Sequence, residues 1–489
     1  MSSSSLGLRA VLALILMIGF YGLAIAVALG LLYVPYAEWT YANRIHVRVA
    51  IFCVAGAGII IWSIIPRRSR FTPPGPRITP EKQPRFFSEI SNIAKEMGQQ
   101  MPAEVYVDYN VNAWVVERGG LFGIGSKRVL CIGLPLLKLL TVSQFKAVLA
   151  HEFGHFYGGD TRLGPWVYKT RSAISRTLQA LSVHGSVLQL PFLLYGKLFM
   201  RVTNAVSRAQ EYSADKIAAK IAGSSNMIDA LKMVYGNGQA FELYWDNELI
   251  PILNSGYYPP ILDGFEMFIN SKSIVNAVDI YLDEEIKSAK PNPYDTHPPL
   301  RDRILSLKSI PDTNISLDNS SAISLFINVL RLENKVLFSM GGKDLSKKLL
   351  PVSWEAVDRV YIPLWREHYK KYLPALNGIT AKSLPELSKN ISRYVHQLNQ
   401  VINQRFDKET ALYFTNHTVG VALSLQLVKK GFTVKIIPGE SIKLVKDEIT
   451  LEPFDIIINL LDDKLSSDDW FRLSKLSDIE DLRLDKVQI

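Results

Sequence analysis

Cysteine is scarce in this sequence: Cys53 and Cys131 are the only two in 489 residues, and neither sits in a CxxC pair. That argues against a disulfide framework and a thiolate metal site, and it fits a reducing compartment. Internal repeats are missing, and low complexity is limited to the serine run at the start. No RNA- or DNA-binding motif is present. The formal net charge of +9 comes from scattered basic residues. A nucleic-acid partner is therefore not expected, whereas an anionic membrane surface suits the balance. With 48% hydrophobic and 21% charged residues, the chain is neither disordered nor a simple multi-span transporter. Its length suggests two to four domains.

Charge is also missing from two long stretches near the start. Residues 10–34 and 49–65 contain no Asp, Glu, Lys or Arg, and about 20 apolar residues suffice to cross a bilayer as a helix. The reading is a transmembrane helical hairpin. The segment between the two runs (35–48) supplies Pro, Trp and Tyr, as at the interfacial end of a helix. The first run is too long for a signal-peptide core and a second run follows it, so cleavage is not expected. Arg67, Arg68 and Arg70 follow the second run and Arg9 precedes the first. The positive-inside rule then puts both ends in the cytoplasm, so the expected location is an inner or plasma membrane with the domain after the hairpin cytoplasmic. A third apolar stretch, 187–200, is interrupted by Pro191, Gly196 and Lys197. It reads as a buried or membrane-surface segment rather than a span.

The fold class expected for the whole is α+β and mainly helical. It comprises a membrane anchor (1–70), a main domain (71–310) that holds the candidate site read below, a helical region (311–405) and a small mixed α/β C-terminal module (406–489). A Pro- and Arg-rich linker, 71–85, leaves the membrane. Helical spacing of Phe87, Ile90, Ile93 and Met97 follows. Three strand-like runs come next: AEVYVDY, NAWVVERGG and KRVLCIGL. Helices then fill about 141–235.

The chemistry begins at VLAHEFGHFYGGD, residues 148–160. Thr141 and Gln144 fit a capping box that starts a helix, and Gly158–Gly159 would stop it. Residues four apart lie on one helix face, so His151 and His155 can point at one ion. Glu152 is rotated by about 100°, which lets it reach a water without competing for the metal. The bland alternative is a pair of ordinary helical histidines. It would leave two His and a Glu in an apolar helix without purpose. A catalytic zinc takes three protein ligands and keeps one position open. The metzincin pattern would put a His at position 161, but Thr161 stands there and Asp160 is out of register. The better third ligand lies in AVSRAQEYSADKIAAKIAG. There Glu211 and Asp215 are four apart among Ser207, Ala214 and Ala218, small enough to let two helices approach. Glu211 can give a carboxylate oxygen to zinc. Asp215 can accept the ring N–H of a ligating histidine, His151 first, and fix its tautomer.

With these residues in place the chain resembles the membrane zinc metallopeptidases that include the heat-shock protease HtpX and the CAAX prenyl endopeptidases. The resemblance covers roughly residues 10–310. It rests on the apolar hairpin, NAW (112–114), IGLPLL (132–137), HEFGH, SRAQEYSAD and THPPLRDRI (296–304), in that order. It implies a gluzincin fold with one Zn2+ per chain held by His151, His155 and Glu211. Glu152 would be the general base and then the proton shuttle. His297 would stand near the site as a donor to the developing oxyanion, with Arg303 assisting. Asn112, Ala113 and Trp114 would open an edge strand that pairs with extended substrate. The prenyl endopeptidases have many more spans than this chain, and the region after about 320 has no counterpart in the short members.

The function expected is a membrane-anchored zinc endopeptidase acting on protein or peptide substrates, in membrane-protein quality control. The alternatives are a non-catalytic membrane receptor or scaffold with a structural zinc, and CAAX-type prenyl-protein processing. Three ligands together with a retained Glu favour catalysis over a structural site.

Overall fold

The computed structural model describes residues 3–67, 71–119, 126–156, 164–182, 186–312, 317–341, 345–402 and 407–486. By its internal contacts the chain divides into two units. One joins Met1–Gly238 to Ile280–Val329; the other joins Gln239–Asp279 to Leu330–Ile489.

The first unit opens on α1, Ser3–Ala42, and α2, Val47–Ile64. Both are long and apolar enough to cross a membrane. α1 outlasts its apolar run. It continues through Pro35 to Ala42 and absorbs most of the segment expected as a connection. The turn that remains is closed by Asn43, whose φ of 48° ends the helix. It is also tied by His46, whose backbone N–H donates to Glu38 Oε2 at 3.1 Å. α6, Gly164–Ser182, and α7, Ser186–Ala222, pack on this hairpin. Phe20, Ala28, Ile60, Ile174, Phe192 and Phe199 form the shared apolar core. The breakers at 191 and 196 do not interrupt α7. Pro191 lies near the start of the helix, where one lost hydrogen bond is cheap against burying Phe192 and Phe199. Gly196 lets α6 come close, since a Cβ there would stand 3.0 Å from Ile174 Cγ2.

Between the two helix pairs lie α3, Pro84–Glu96, and a four-stranded sheet. Its strands are β1, Arg77–Ile78, β2, Glu104–Asp108, β3, Ala113–Arg118, and β4, Lys127–Gly133. Their order is β1-β2-β4-β3, with β2 and β4 parallel and β3 antiparallel to β4. β3 is thus an edge strand. α4, Leu134–Leu139, and α5, Val142–Gly154, follow. Cys53 and Cys131 are both free and buried.

In the second unit Tyr244, Phe265 and Trp354 pack together. A three-stranded antiparallel sheet, Thr433–Lys435, Lys443–Lys446 and Ile449–Leu451, follows the helix Lys408–Lys429. Asp407 caps that helix, accepting from Thr410 N–H at 2.8 Å. Residues 239–279 belong with this unit, although the sequence boundaries place them in the main domain.

Candidate metal centre

α5 starts where the capping box places it. Thr141 Oγ1 accepts from Gln144 N–H at 3.2 Å, and Gln144 Oε1 accepts from Thr141 N–H at 3.0 Å. The next two free N–H groups donate to Ser320 O and Asp318 O, so the buried helix start is fully paired. The helix ends at Gly154 and His155 is its C-cap. The Gly158–Gly159 stop and positions 160 and 161 lie outside the described residues.

α5 packs on α7 at the level of the two histidines. A Cβ on Gly154 would stand 3.1 Å from Ala214 Cα and 3.3 Å from Ala214 Cβ, so the approach depends on glycine facing alanine. It brings His151 Nε2 to 3.6 Å from Glu211 Oε2 and His155 Nε2 to 3.5 Å from Glu211 Oε1. Ligand atoms at about 2.0–2.1 Å from one tetrahedral ion stand about 3.3–3.4 Å apart; these two separations are close to that, and the ligand atoms of the three residues all lie within 4.8 Å of one another. Glu211 Oε2 is buried and has no hydrogen bond of good geometry among the described residues, with Arg303 Nη1 and His297 Nδ1 standing 3.3 and 3.2 Å away.

Behind these atoms stands a buried ionic layer. His151 Nδ1 is 3.0 Å from Asp215 Oδ1, the partner expected from the sequence, which leaves Nε2 for the metal. Arg303, expected at the substrate, is elsewhere. It is 4% exposed and forks onto Asp215, with Nε donating to Oδ2 at 2.8 Å and Nη2 to Oδ1 at 2.6 Å. Its Nη1 lies 3.3 Å from Glu211 Oε2. A buried guanidinium between two carboxylates is held there by charge-assisted bonds.

His297 is largely exposed and its Nδ1 lies 3.2 Å from Glu211 Oε2. Two residues not singled out in the sequence hold its loop. Arg208 Nη1 donates to Pro293 O at 3.1 Å and Asp295 O at 2.6 Å. Asn204, one turn earlier, donates to Tyr294 O. Asn204, Arg208, Glu211 and Asp215 thus line one face of α7, and their spacing of three and four was the available signal. Tyr235 on α8, Ser224–Tyr244, also bonds Arg303 and was not foreseen.

The edge strand borders the centre. The Glu152 carboxylate is hydrogen-bonded by the backbone N–H of Val115. Asn112 is exposed, and its Oδ1 accepts from Ala113 N–H at 2.9 Å. Ala113 is buried, and Trp114 packs on the sheet face against Tyr106, Val129 and Cys131.

The cluster sets the charges apart. Burial, reinforced by the Glu211 charge, pushes the Glu152 carboxyl up to about 7. Burial and the neighbouring His151 lower His155 to about 4, so its ring is neutral and able to ligate. Burial would raise Glu211 and Asp215. The His297 ring with the His151 and Arg303 charges holds Glu211 down at about 2, and bonds from Arg303 and His151 hold Asp215 at about 2.

An HExxH helix, a carboxylate from a second helix and a neighbouring edge strand thus converge on a group that could hold a metal ion. Residues 80–311, just under half of the chain, match peptidase family M48. The chain is similar to a Protease HtpX homolog of Neisseria meningitidis serogroup C, 33% identical over 24% of this chain and 48% of that protein. It is also similar to a Protease HtpX homolog of Arthrobacter sp., 23% identical over 35% of this chain and 62% of the relative. Protease HtpX of Idiomarina loihiensis is 24% identical over 37% of this chain and 69% of its own length. The first two matches thus span about half to three fifths of those relatives. No solved structure matches the chain.

Proposed function

We propose that this protein is a membrane-anchored zinc endopeptidase. The observation that carries the reading is the convergence of His151, His155 and Glu211, whose ligand atoms all lie within 4.8 Å of one another, beside Glu152 and the edge strand β3. The three residues would hold one zinc, which lowers the pKa of a bound water and polarises a scissile carbonyl.

The chain's own groups do the rest. An extended segment of a protein substrate adds to the edge of β3, where backbone pairing gives affinity with little demand on side chains. Glu152 takes the proton of the attacking water at its carboxylate and delivers it to the leaving nitrogen. A carboxyl with a raised pKa suits both halves of that transfer. His297, on a loop anchored to α7, donates to the oxyanion as it develops. Asp215 keeps the His151 tautomer, and Arg303 holds Asp215 and Glu211 in place. α1 and α2 cross the membrane with the metal centre on the cytoplasmic side, so membrane proteins under quality control are the fitting substrates.

Glu152→Gln should retain zinc by elemental analysis and lose casein cleavage, and a chelator should stop the wild type. Zinc retained together with cleavage at the normal rate would remove Glu152 as the base. Zinc retained by a wild type that cuts nothing would favour the structural-zinc receptor.

A further inference from the structure

The uncharged stretch of α6 and α7 is too short within either helix to cross a bilayer, yet its sequence and surface are those of a membrane element. From Thr177 to Gly196 there is no Asp, Glu, Lys or Arg, and basic residues stand at both ends: Arg171 and Arg176 before, Lys197 and Arg201 after. On α7, Val187 is 83% exposed, Leu190 52%, Leu194 58% and Leu198 49%, while Phe192 and Phe199 on the opposite side are fully buried. A row of bare aliphatic side chains along a buried-core helix marks contact with an apolar partner.

Contacts to the apolar hairpin fix the depth. Arg176 donates from Nε to Ser63 O at 3.0 Å and from Nη2 to Ile65 O at 3.4 Å. It therefore sits level with the end of α2 and occupies its unpaired carbonyls. Thr177 and Ser63 meet through their hydroxyls at 2.7 Å. Further in, Phe192 packs edge-on against Phe20, and Leu188 reaches Gly56 at the middle of α2, 3.4 Å from where a Cβ would be. The pair descends beside the hairpin from the end of α2 to its midpoint. Among the described residues on the way, Gln189 donates to Leu178 O and Ser182 to Gln179 O, local pairing of the kind an apolar solvent demands.

We infer that α6 and α7 form a re-entrant membrane hairpin. It enters the bilayer from the side that carries the metal centre, reaches about the midplane and returns, with Val187, Leu190 and Leu194 among lipid acyl chains. The inference rests on α1 and α2 spanning the bilayer. The eleven residues Ser186–Gly196 rise about 16 Å as helix, about half of a ~30 Å hydrocarbon core. Both basic flanks then lie on one side, as the positive-inside rule asks of a hairpin that does not cross.

The test uses the full chain in liposomes, with Cys53 and Cys131 replaced by Ala and single cysteines at Val187, Leu190, Leu194 and Leu198. Ile51→Cys serves as the α2 control and Lys287→Cys as the exposed control. Retained zinc certifies each variant as folded, and Leu193→Cys replaces any that fails. A membrane-impermeant maleimide should lose its reaction at 187, 190 and 194 from both sides, as at 51. A nitroxide at the same sites should show depth increasing from 198 to 187. Labelling of 190 and 194 at the Lys287→Cys rate would overturn the inference in favour of a surface helix. Reaction of Val187→Cys from the far side would overturn it in favour of a complete crossing. Labelling of Ile51→Cys itself would remove the anchor, and the hairpin's insertion with it.

Discussion

Asp215 and Arg303 are the residues on which the centre's geometry turns. Asp215 is fully buried and 88 positions away from Arg303. Arg303→Ala leaves that carboxylate without its fork and should cost about 3–5 kcal/mol, with a zinc affinity about 10–100-fold weaker. Arg303→Lys should recover only part, since an ammonium cannot bridge both oxygens. Thermal unfolding and zinc competition read both effects, and a wild-type melt for the Ala variant would place Arg303 outside the support of the centre. Glu152 gives a second prediction. Its metal-free carboxyl stands at about 7 against the usual 4.5. The folded state therefore favours the protonated form. That contribution is complete below pH 4.5 and is lost as pH rises through 7. Chelated wild type should lose on the order of 1–3 kcal/mol relative to chelated Glu152→Gln across this window. Melts at both ends of the window measure it, and parallel curves for the two proteins would refute it.

At the scale of elements, the contact of α5 with α7 makes two separate sequence motifs into one site. Gly154 against Ala214 sets the spacing. Gly154→Val should push the helices apart, cost about 1–3 kcal/mol and lower zinc occupancy with Glu152 untouched. Adding Ala214→Gly should restore part of the occupancy, because the space returns at the same point. Normal zinc content in the single variant would show that the approach is not needed. The strands and α3 were readable from alternation and helical spacing. The continuity of α7 was not, because Pro191 and Gly196 read as breakers until the hairpin supplies a surface for Phe192 and Phe199.

For the molecule as a whole, α7 ties the membrane to the metal. From Lys197 to Glu211 it contains neither Pro nor Gly, and its rise over that length is about 21 Å. An extended substrate covers about 3.3 Å per residue. A membrane-bound substrate should therefore be cut well when its scissile bond lies about six or more residues from its own span, and poorly when closer. A series of anchored substrates with one cleavable sequence and graded linkers tests this. Equal cleavage at the shortest linker would mean that the site is not held at that height.

The sequence by itself determined the capping box, the HExxH spacing, the three strands, the apolar runs and the pairing of Glu211 with Asp215 on one face. These depend on periodicity and side-chain chemistry within a few turns of chain. Only the tertiary structure brings Arg303 onto Asp215 and Glu211, and Asn204 and Arg208 onto the His297 loop. It also decided that residues 239–279 pack with the C-terminal unit. Each of these joins groups tens of positions apart. Local patterning does not encode such pairings, and they arise only when packing brings buried charges within reach of one another.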